Sequence, residues 1–182
     1  MRLFFALWPS PSTAEQLAAR ARACAEQFGG RPTREETIHL TLAFLGEVPE
    51  EQLPQLVKCA QEIRQSQFDL AIDHVACWKH NHLLWAGCTS TPPTLNVLSE
   101  SLQQVLRENA FAGERDKHGF TPHVTLVRKL PVAGATAFLA THARLEIEPI
   151  LWRCSSFVLV CSLTTASGPQ YQVLYEFPLA AE

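Results

Sequence analysis

The 182-residue sequence has few charged residues, and no part of it is strongly basic. Charged residues make up 18% of the chain, and the net charge is −3 with neutral histidines. A protein that binds a long stretch of nucleic acid usually carries a basic stripe or tail. The composition therefore argues against a long nucleic-acid groove. An RNA substrate would be held at one end or over a few nucleotides.

The sequence also lacks the patterns of membrane spans, disulfide-bonded proteins and nucleoside triphosphate hydrolases. The apolar segment 3–8 is too short for a membrane span or a secretory leader, and Pro9 follows it directly. Six scattered cysteines without a C-x-x-C pair are typical of free thiols in a reducing cytoplasm. No Gly-rich loop ends in Lys-Ser/Thr, so hydrolysis of a nucleoside triphosphate is not expected. We expect a cytoplasmic protein with no membrane partner.

The chain is long enough to fold as one domain, or as two small lobes that share a core, since 47% of its residues are apolar. Ser12 and Glu15 have the spacing of a helix-capping box. Helices and strands alternate, but the last three strands are joined too tightly for helical crossovers, which favours an α+β fold with antiparallel sheets. The predicted strands are 3–8, 37–45, 68–72, 82–88, 121–129, 144–150, 156–163 and 171–179, and the predicted helices are 14–28, one from Pro49, one from Pro92, and 133–140.

Two matching tetrads are the most informative feature. His39-Leu40-Thr41-Leu42 and His123-Val124-Thr125-Leu126 both have the order His, aliphatic, Thr, Leu, about half the chain length apart. Side chains alternate between the two faces of a strand, so each His shares a face with the Thr two residues later. The aliphatic residues then face a core. If the two halves are related by an approximate two-fold axis, the two polar pairs meet across a cleft.

Two histidines that meet in this way suit acid–base catalysis. The ordinary pKa of imidazole, about 6.5, allows one ring to accept a proton while the other donates one near neutral pH. Reactions that need a base on one side of the reacting atom and an acid on the other can use such a pair. Structural histidines on ordinary strands are the alternative, but they explain neither the matched order nor the spacing.

These residues resemble the signature motifs of the two-histidine phosphoesterase superfamily. The segments HLTLAFLG (39–46) and FTPHVTLVR (120–128) are similar to those of the bacterial RNA 2',3'-cyclic phosphodiesterases, also called 2'-5' RNA ligases. Segments near both ends of the chain also agree, so the resemblance spans nearly all of it. One departure is Glu36-Thr37-Ile38, where many relatives carry Trp or Asn before the first tetrad.

The resemblance implies one two-lobed domain over residues 1–182, with a pseudo-two-fold axis, two mainly antiparallel sheets flanked by helices, and a central groove with one tetrad per lobe. It implies hydrolysis of RNA 2',3'-cyclic phosphodiester ends to 2'-phosphomonoesters without ATP, metal or any other cofactor. The expected partners are RNA ends or small nucleotides with a 2',3'-cyclic phosphate, bound by a monomer. The implied roles are proton donor for His39, proton acceptor for His123, and phosphate binding for Thr41 and Thr125.

Two other functions use the same residues. The same site could act on 2'-5' linkages, including reversible joining of tRNA halves, because ligation is the reverse of opening such a linkage. A module that binds phosphorylated RNA ends without turnover is a third possibility. Turnover of a nucleoside 2',3'-cyclic phosphate in EDTA distinguishes hydrolysis from binding alone, and a comparison of cyclic-phosphate RNA with 2'-5' linked RNA distinguishes the two enzymatic functions.

Arg128 and Phe120 are further candidates for substrate binding. Arg128 could neutralise phosphate charge or stack on a base, or it could form a surface salt bridge. It lies five residues after His123, so an ideal strand places it on the opposite face, and a bulge or the end of the strand must redirect it. Its counterpart after the first tetrad is Phe44. Phe120 could line the site or pack in the core.

Other histidines and cations are weaker candidates. The pair His80 and His82 could ligate a metal, but a site needs a third ligand, and a solvated hairpin tip is favoured. We expect His74, His118 and His142 to be exposed or hydrogen-bonded. Arg115, Lys117 and His118 either contact RNA phosphates or belong to a solvated loop, and the sequence favours neither alternative.

Overall fold

The computed structural model describes residues 1–111, 119–165 and 168–181. Arg115, Lys117 and His118, for which RNA contact and a solvated loop were both open, lie outside the described residues. The strands are β1 (Arg2–Leu7), β2 (Arg31–Pro32), β3 (Leu40–Glu47), β4 (Phe68–Trp78), β5 (Leu83–Gly87), β6 (Val124–Arg128), β7 (Leu145–Cys154), β8 (Ser156–Thr165) and β9 (Gly168–Pro178). The helices are α1 (Pro11–Phe28), α2 (Leu53–Gln61), α3 (Pro93–Glu108) and α4 (Val132–Thr141).

The strands form one sheet with two similar halves. Its order is β7-β4-β5-β6-β3-β1-β8-β9, and β2 pairs with β6 beside β3. All of these strand pairs are antiparallel. The halves meet where Leu40 of β3 pairs with Val124 of β6. The prediction of an antiparallel α+β fold is confirmed, and the two expected sheets are joined into one at this residue pair.

The helices cover one face of the sheet and leave the other open. Apolar residues recur every three or four positions along α1 and α3, as on an amphipathic helix, and they are buried in the main core. The opposite face carries a small second cluster, formed by Phe4, Ala6, Val158 and Val160. In the described part of the chain, no helix has the length and apolar character needed to cross a membrane.

The first helix begins earlier than its sequence predicts. The N-cap is Ser10, whose hydroxyl oxygen accepts a hydrogen bond from the backbone N–H of Thr13 at 3.2 Å. Pro11 follows at the first helical position, where its missing N–H has no partner to lose. The predicted capping box of Ser12 and Glu15 is therefore wrong, because Ser12 already lies inside the helix.

Candidate active site

His39 and His123 have the same local hydrogen bond. Nδ1 of His39 lies 2.7 Å from the carbonyl oxygen of Thr37, and Nδ1 of His123 lies 2.9 Å from that of Thr121. A carbonyl oxygen can only accept, so Nδ1 carries the proton in both rings. In each neutral ring, Nε2 is then an unprotonated acceptor. The two halves of the chain thus hold their imidazoles in one tautomer.

The pairing of the central strands places both tetrads on one face. Because β3 and β6 are antiparallel and pair at Leu40 and Val124, His39 lies beside Thr125 and His123 beside Thr41. The paired Leu40 and Val124 are fully buried on the opposite face, as predicted. Ideal strand spacing puts the two histidine Cα atoms about 8 Å apart. Side chains at this spacing on one face can contact a common group bound above the Leu40–Val124 pair.

Aromatic rings enclose His39. Its ring centroid lies 5.0 Å from that of Phe4, 5.8 Å from that of Trp8, which is stacked on it, and 5.2 Å from that of Tyr171. Removal from water lowers the pKa of His39 to about 4, although the hydrogen bond to the Thr37 carbonyl opposes this shift. The charges of Arg128 and His123 lower the pKa further. At pH 7 the ligand-free protein therefore holds His39 neutral.

Two tryptophans border His123. Its ring centroid lies 4.6 Å from that of Trp78 and 6.2 Å from that of Trp85, with both pairs edge to face. Trp85 pairs with Thr125 across β5 and β6, so it lies on the site face. The two histidines share their hydrogen-bond geometry but have different aromatic neighbours.

A β-bulge redirects Arg128. In the β5–β6 pairing, Trp85 lies opposite Thr125 and Leu84 opposite Val127, so Leu126 is an extra residue. Leu126 and Val127 are consequently both buried, and Arg128 emerges on the face that carries His123. Its charge acts on His39. The sequence left two ways to redirect Arg128, a bulge or the end of the strand, and the structure has the bulge.

The first tetrad carries a bulge at the equivalent position. In the β1–β3 pairing, Ala6 lies opposite Thr41 and Phe5 opposite Ala43, so Leu42 is the extra residue. Phe44, the counterpart of Arg128, then packs with the second cluster on the site face. The two halves thus share the bulge and differ in the residue that it redirects.

Comparison with known proteins agrees with this arrangement. A family model described as LigT-like phosphoesterase matches residues 7–85. The RNA 2',3'-cyclic phosphodiesterase of Escherichia coli K12 is 36% identical over 128 residues, which cover 70% of this chain and 71% of that protein. The chain belongs to the LigT-like phosphoesterase family. The resemblance stated from the two tetrads is confirmed.

Other members of the family match nearly the whole chain. The RNA 2',3'-cyclic phosphodiesterase of Thermus thermophilus is 27% identical over 194 residues, covering 100% of this chain and 92% of its own. The crystal structure of E. coli LigT complexed with 3'-AMP superposes with a TM-score of 0.82, at 28% identity and 98% and 97% coverage. The crystal structure of TT0787 of T. thermophilus gives a TM-score of 0.81, at 25% identity and full coverage of both chains.

Phe120 lies beside this LigT-like site in sequence but packs elsewhere. It is half-buried and contacts the main core on the helical side of the sheet. Of the two roles considered for it, the contacts that the structure shows are those of core packing. Its role in substrate binding stays a prediction.

The remaining described histidines lie at an exposed turn or are hydrogen-bonded to the adjacent residue. His80 and His82 are exposed at the turn between β4 and β5. His74 is buried and bonded through Nδ1 to Asp73 at 2.8 Å, and His142 is bonded to a neighbouring threonine hydroxyl. Within residues 1–111, 119–165 and 168–181, no three His, Cys, Asp or Glu residues are grouped to hold a metal ion.

Sequence reasoning missed the aromatic neighbours of the two histidines. Trp8 follows a strand that is apolar on both faces, so period-two alternation gives no sign that Phe4 and Trp8 face the site. Trp78 and Trp85 lie on the β4–β5 hairpin, and the local sequence does not show that β6 is the strand beside it. Tyr171 belongs to a segment that agrees with the family, and only this agreement could have pointed to it.

Proposed function

We propose that this protein hydrolyses the 2',3'-cyclic phosphate at RNA ends to a 2'-phosphomonoester, with His39 as proton donor and His123 as proton acceptor. The relatives named above are RNA 2',3'-cyclic phosphodiesterases. The observation that carries the proposal is the matched pair of imidazoles, which have the same Nδ1 hydrogen bond and lie on either side of the Leu40–Val124 pair.

The reaction uses the two Nε2 atoms on opposite sides of phosphorus. Nε2 of His123 takes a proton from a water molecule, and the water oxygen bonds to phosphorus. The bond between phosphorus and the ribose O3' breaks, and the Nε2 proton of His39 passes to O3'. The products are a 2'-phosphate and a free 3'-hydroxyl. Loss of a proton from His123 and uptake of one by His39 restore the starting state.

His39 becomes protonated when the substrate binds. Its enclosure keeps its pKa at about 4 in the ligand-free protein. A phosphodiester carries a negative charge, and an opposite charge at hydrogen-bond distance raises a histidine pKa. Substrate binding therefore favours the protonated form that the donor role requires. The pH dependence of kcat/KM should be bell-shaped, with apparent pKa values that belong to the histidine pair.

Thr41, Thr125 and Arg128 stabilise the phosphate in this proposal. The two hydroxyls lie on the site face between the histidines, where they can donate to the non-bridging oxygens. The bulge brings the Arg128 guanidinium onto the same face. Negative charge grows on these oxygens in the transition state, so fixed donors and a cation lower the barrier.

The proposed steps require neither ATP nor a metal, since imidazoles supply both proton transfers. In this proposal residues 1–182 form one two-lobed domain with its site at the junction of the lobes. A monomeric state and a cytoplasmic location stay predictions.

Hydrolysis of a nucleoside 2',3'-cyclic phosphate in EDTA, followed by phosphorus NMR, tests the proposal. We expect a 2'-phosphate product from the wild type. His39→Gln and His123→Gln should each lower kcat by at least about 100-fold, whereas the exposed His80→Gln is a matched control with unchanged turnover. Tight binding without product would support a binding module instead, and activity that disappears in EDTA would support a metal enzyme.

A further inference from the structure

A basic cavity adjoins the site on the side of His39. It has a volume of about 290 Å³, and four of its lining residues are cations: Arg31, Arg34, Arg128 and Lys129. The whole chain has 15 Lys and Arg residues and a net charge of −3. So many cations around one cavity of an acidic protein favour an anionic occupant.

The local backbone brings these cations together. Arg31 pairs with Arg128 across β2 and β6. Consecutive strand residues normally point to opposite faces, but Lys129 has a left-handed φ of 53°, so both Arg128 and Lys129 line the cavity. Arg34 is held by its donation to the Pro169 carbonyl oxygen at 2.9 Å.

The carboxylates near Arg34, Arg128 and Lys129 determine how much of their positive charge is already neutralised. The Arg34 guanidinium pairs with Glu36 at 3.2 Å. Among the residues that the structure describes, no carboxylate lies within 4.0 Å of the charged groups of Arg128 or Lys129. Arg128 and Lys129 thus give the cavity positive charge that a bound phosphate would neutralise.

The cavity and the reacting centre share residues. Tyr171 lines the cavity, and its ring is 5.2 Å from that of His39. Thr37 also lines it, and the carbonyl oxygen of this residue accepts a hydrogen bond from the Nδ1–H group of His39. A group bound there is therefore next to the imidazole that protonates O3' in the proposed reaction.

Ribose connectivity identifies the group that reaches this side. The carbon that bears O3' is bonded to C4', which leads through C5' to the 5'-phosphate, whereas the carbon that bears O2' leads to the base. With O3' at His39, the 5'-phosphate extends toward the cavity and the base extends away from it. We infer that the cavity binds the phosphate 5' to the terminal nucleoside, so that the protein prefers oligoribonucleotide ends to mononucleosides. This inference rests on the proposed function and on the donor role of His39.

The test compares three substrates that end in the same nucleoside 2',3'-cyclic phosphate. They are the mononucleoside, the dinucleotide, and the dinucleotide with an uncharged methylphosphonate linkage. We expect kcat/KM of the dinucleotide to exceed that of the other two by at least about fivefold. In a salt series, log kcat/KM of the dinucleotide should fall more steeply, by a slope of about 0.7 for one extra phosphate on a single strand.

A double variant, Arg34→Gln with Lys129→Gln, tests the residues. It should lose most of the dinucleotide advantage and the extra salt dependence, and keep mononucleoside turnover within about twofold. Arg22→Gln, an exposed arginine on α1, is the matched control. Retained mononucleoside turnover also shows that the double variant is folded. If the double variant loses this turnover, the same comparison is made with Lys129→Gln alone.

The outcomes separate the two proposals. Equal rates for the three substrates, or an advantage that survives in the variant, would overturn the inference and leave the proposed function standing. An advantage shared by the methylphosphonate would assign the preference to the extra nucleoside and would also overturn the inference. No hydrolysis of any substrate by the wild type would overturn the proposed function together with the inference.

Discussion

The enclosure of His39 should make the stability of the protein depend on pH. Its pKa is about 4 in the folded protein and about 6.5 in an unfolded chain. Between these values the unfolded state binds a proton that the folded state does not. The free energy of unfolding should therefore decrease as the pH falls from about 6.5 to about 4, and this histidine adds no further change outside that window.

The magnitude follows from the shift. One pKa unit corresponds to about 1.4 kcal/mol, so the full shift is worth about 3 kcal/mol. About 2 kcal/mol of this falls between pH 7 and pH 5, where little of the folded form is protonated at His39 and most of the unfolded form is. Natural domains have unfolding free energies of about 5–15 kcal/mol, so such a change is measurable.

Urea unfolding of the wild type and of His39→Gln at pH 7 and pH 5 measures the effect. Glutamine keeps a polar side chain but does not titrate. The wild type should lose about 2 kcal/mol more than the variant between these pH values. Other groups also titrate in this range, and the difference between the two proteins removes their contribution. His80→Gln, at an exposed position, should behave like the wild type.

The same pH dependence in the wild type and in His39→Gln would refute this reasoning. It would mean that water reaches the His39 ring in the folded protein in spite of the three aromatic neighbours. A larger loss in the variant than in the wild type would give the opposite sign, which desolvation cannot explain.

Three further predictions concern single residues. Thr41→Val or Thr125→Val should lower kcat/KM by about 10- to 100-fold in the cyclic phosphate assay, since each removes one donor to the phosphate; unchanged rates would exclude that contact. Trp8→Ala should raise the pKa of His39 from about 4 toward 6.5, because water enters beside the ring, and a histidine NMR titration will show the shift or its absence. Gly134→Ala should destabilise the protein by at least about 2 kcal/mol in urea unfolding, because its Cβ would overlap with the last carbonyl of α1; a neutral effect would contradict this close approach.

The fold was predictable where the signal is local. The apolar stripe of α3 gives a helix whose position the structure confirms. Strand ends differ by a few residues, as for β3, which begins at Leu40 rather than Thr37. The predicted start of α1 was wrong because Ser10 and Ser12 both precede the helical sequence. The helix begins at Pro11 after the N-cap Ser10, and the capping-box pattern at Ser12 does not mark its start.

For the candidate site, the sequence alone determined which residues share a strand face. Period-two alternation is a property of a single strand, so the tetrads predict that Leu40 and Val124 enter the core and that each His lies with its Thr. Only the tertiary structure decided the rest. The pairing of β3 with β6, the bulge that turns Arg128, and the approach of Trp8 and Tyr171 to His39 all depend on contacts between strands distant in sequence. Such contacts are fixed by register and packing, which local residue patterns do not specify.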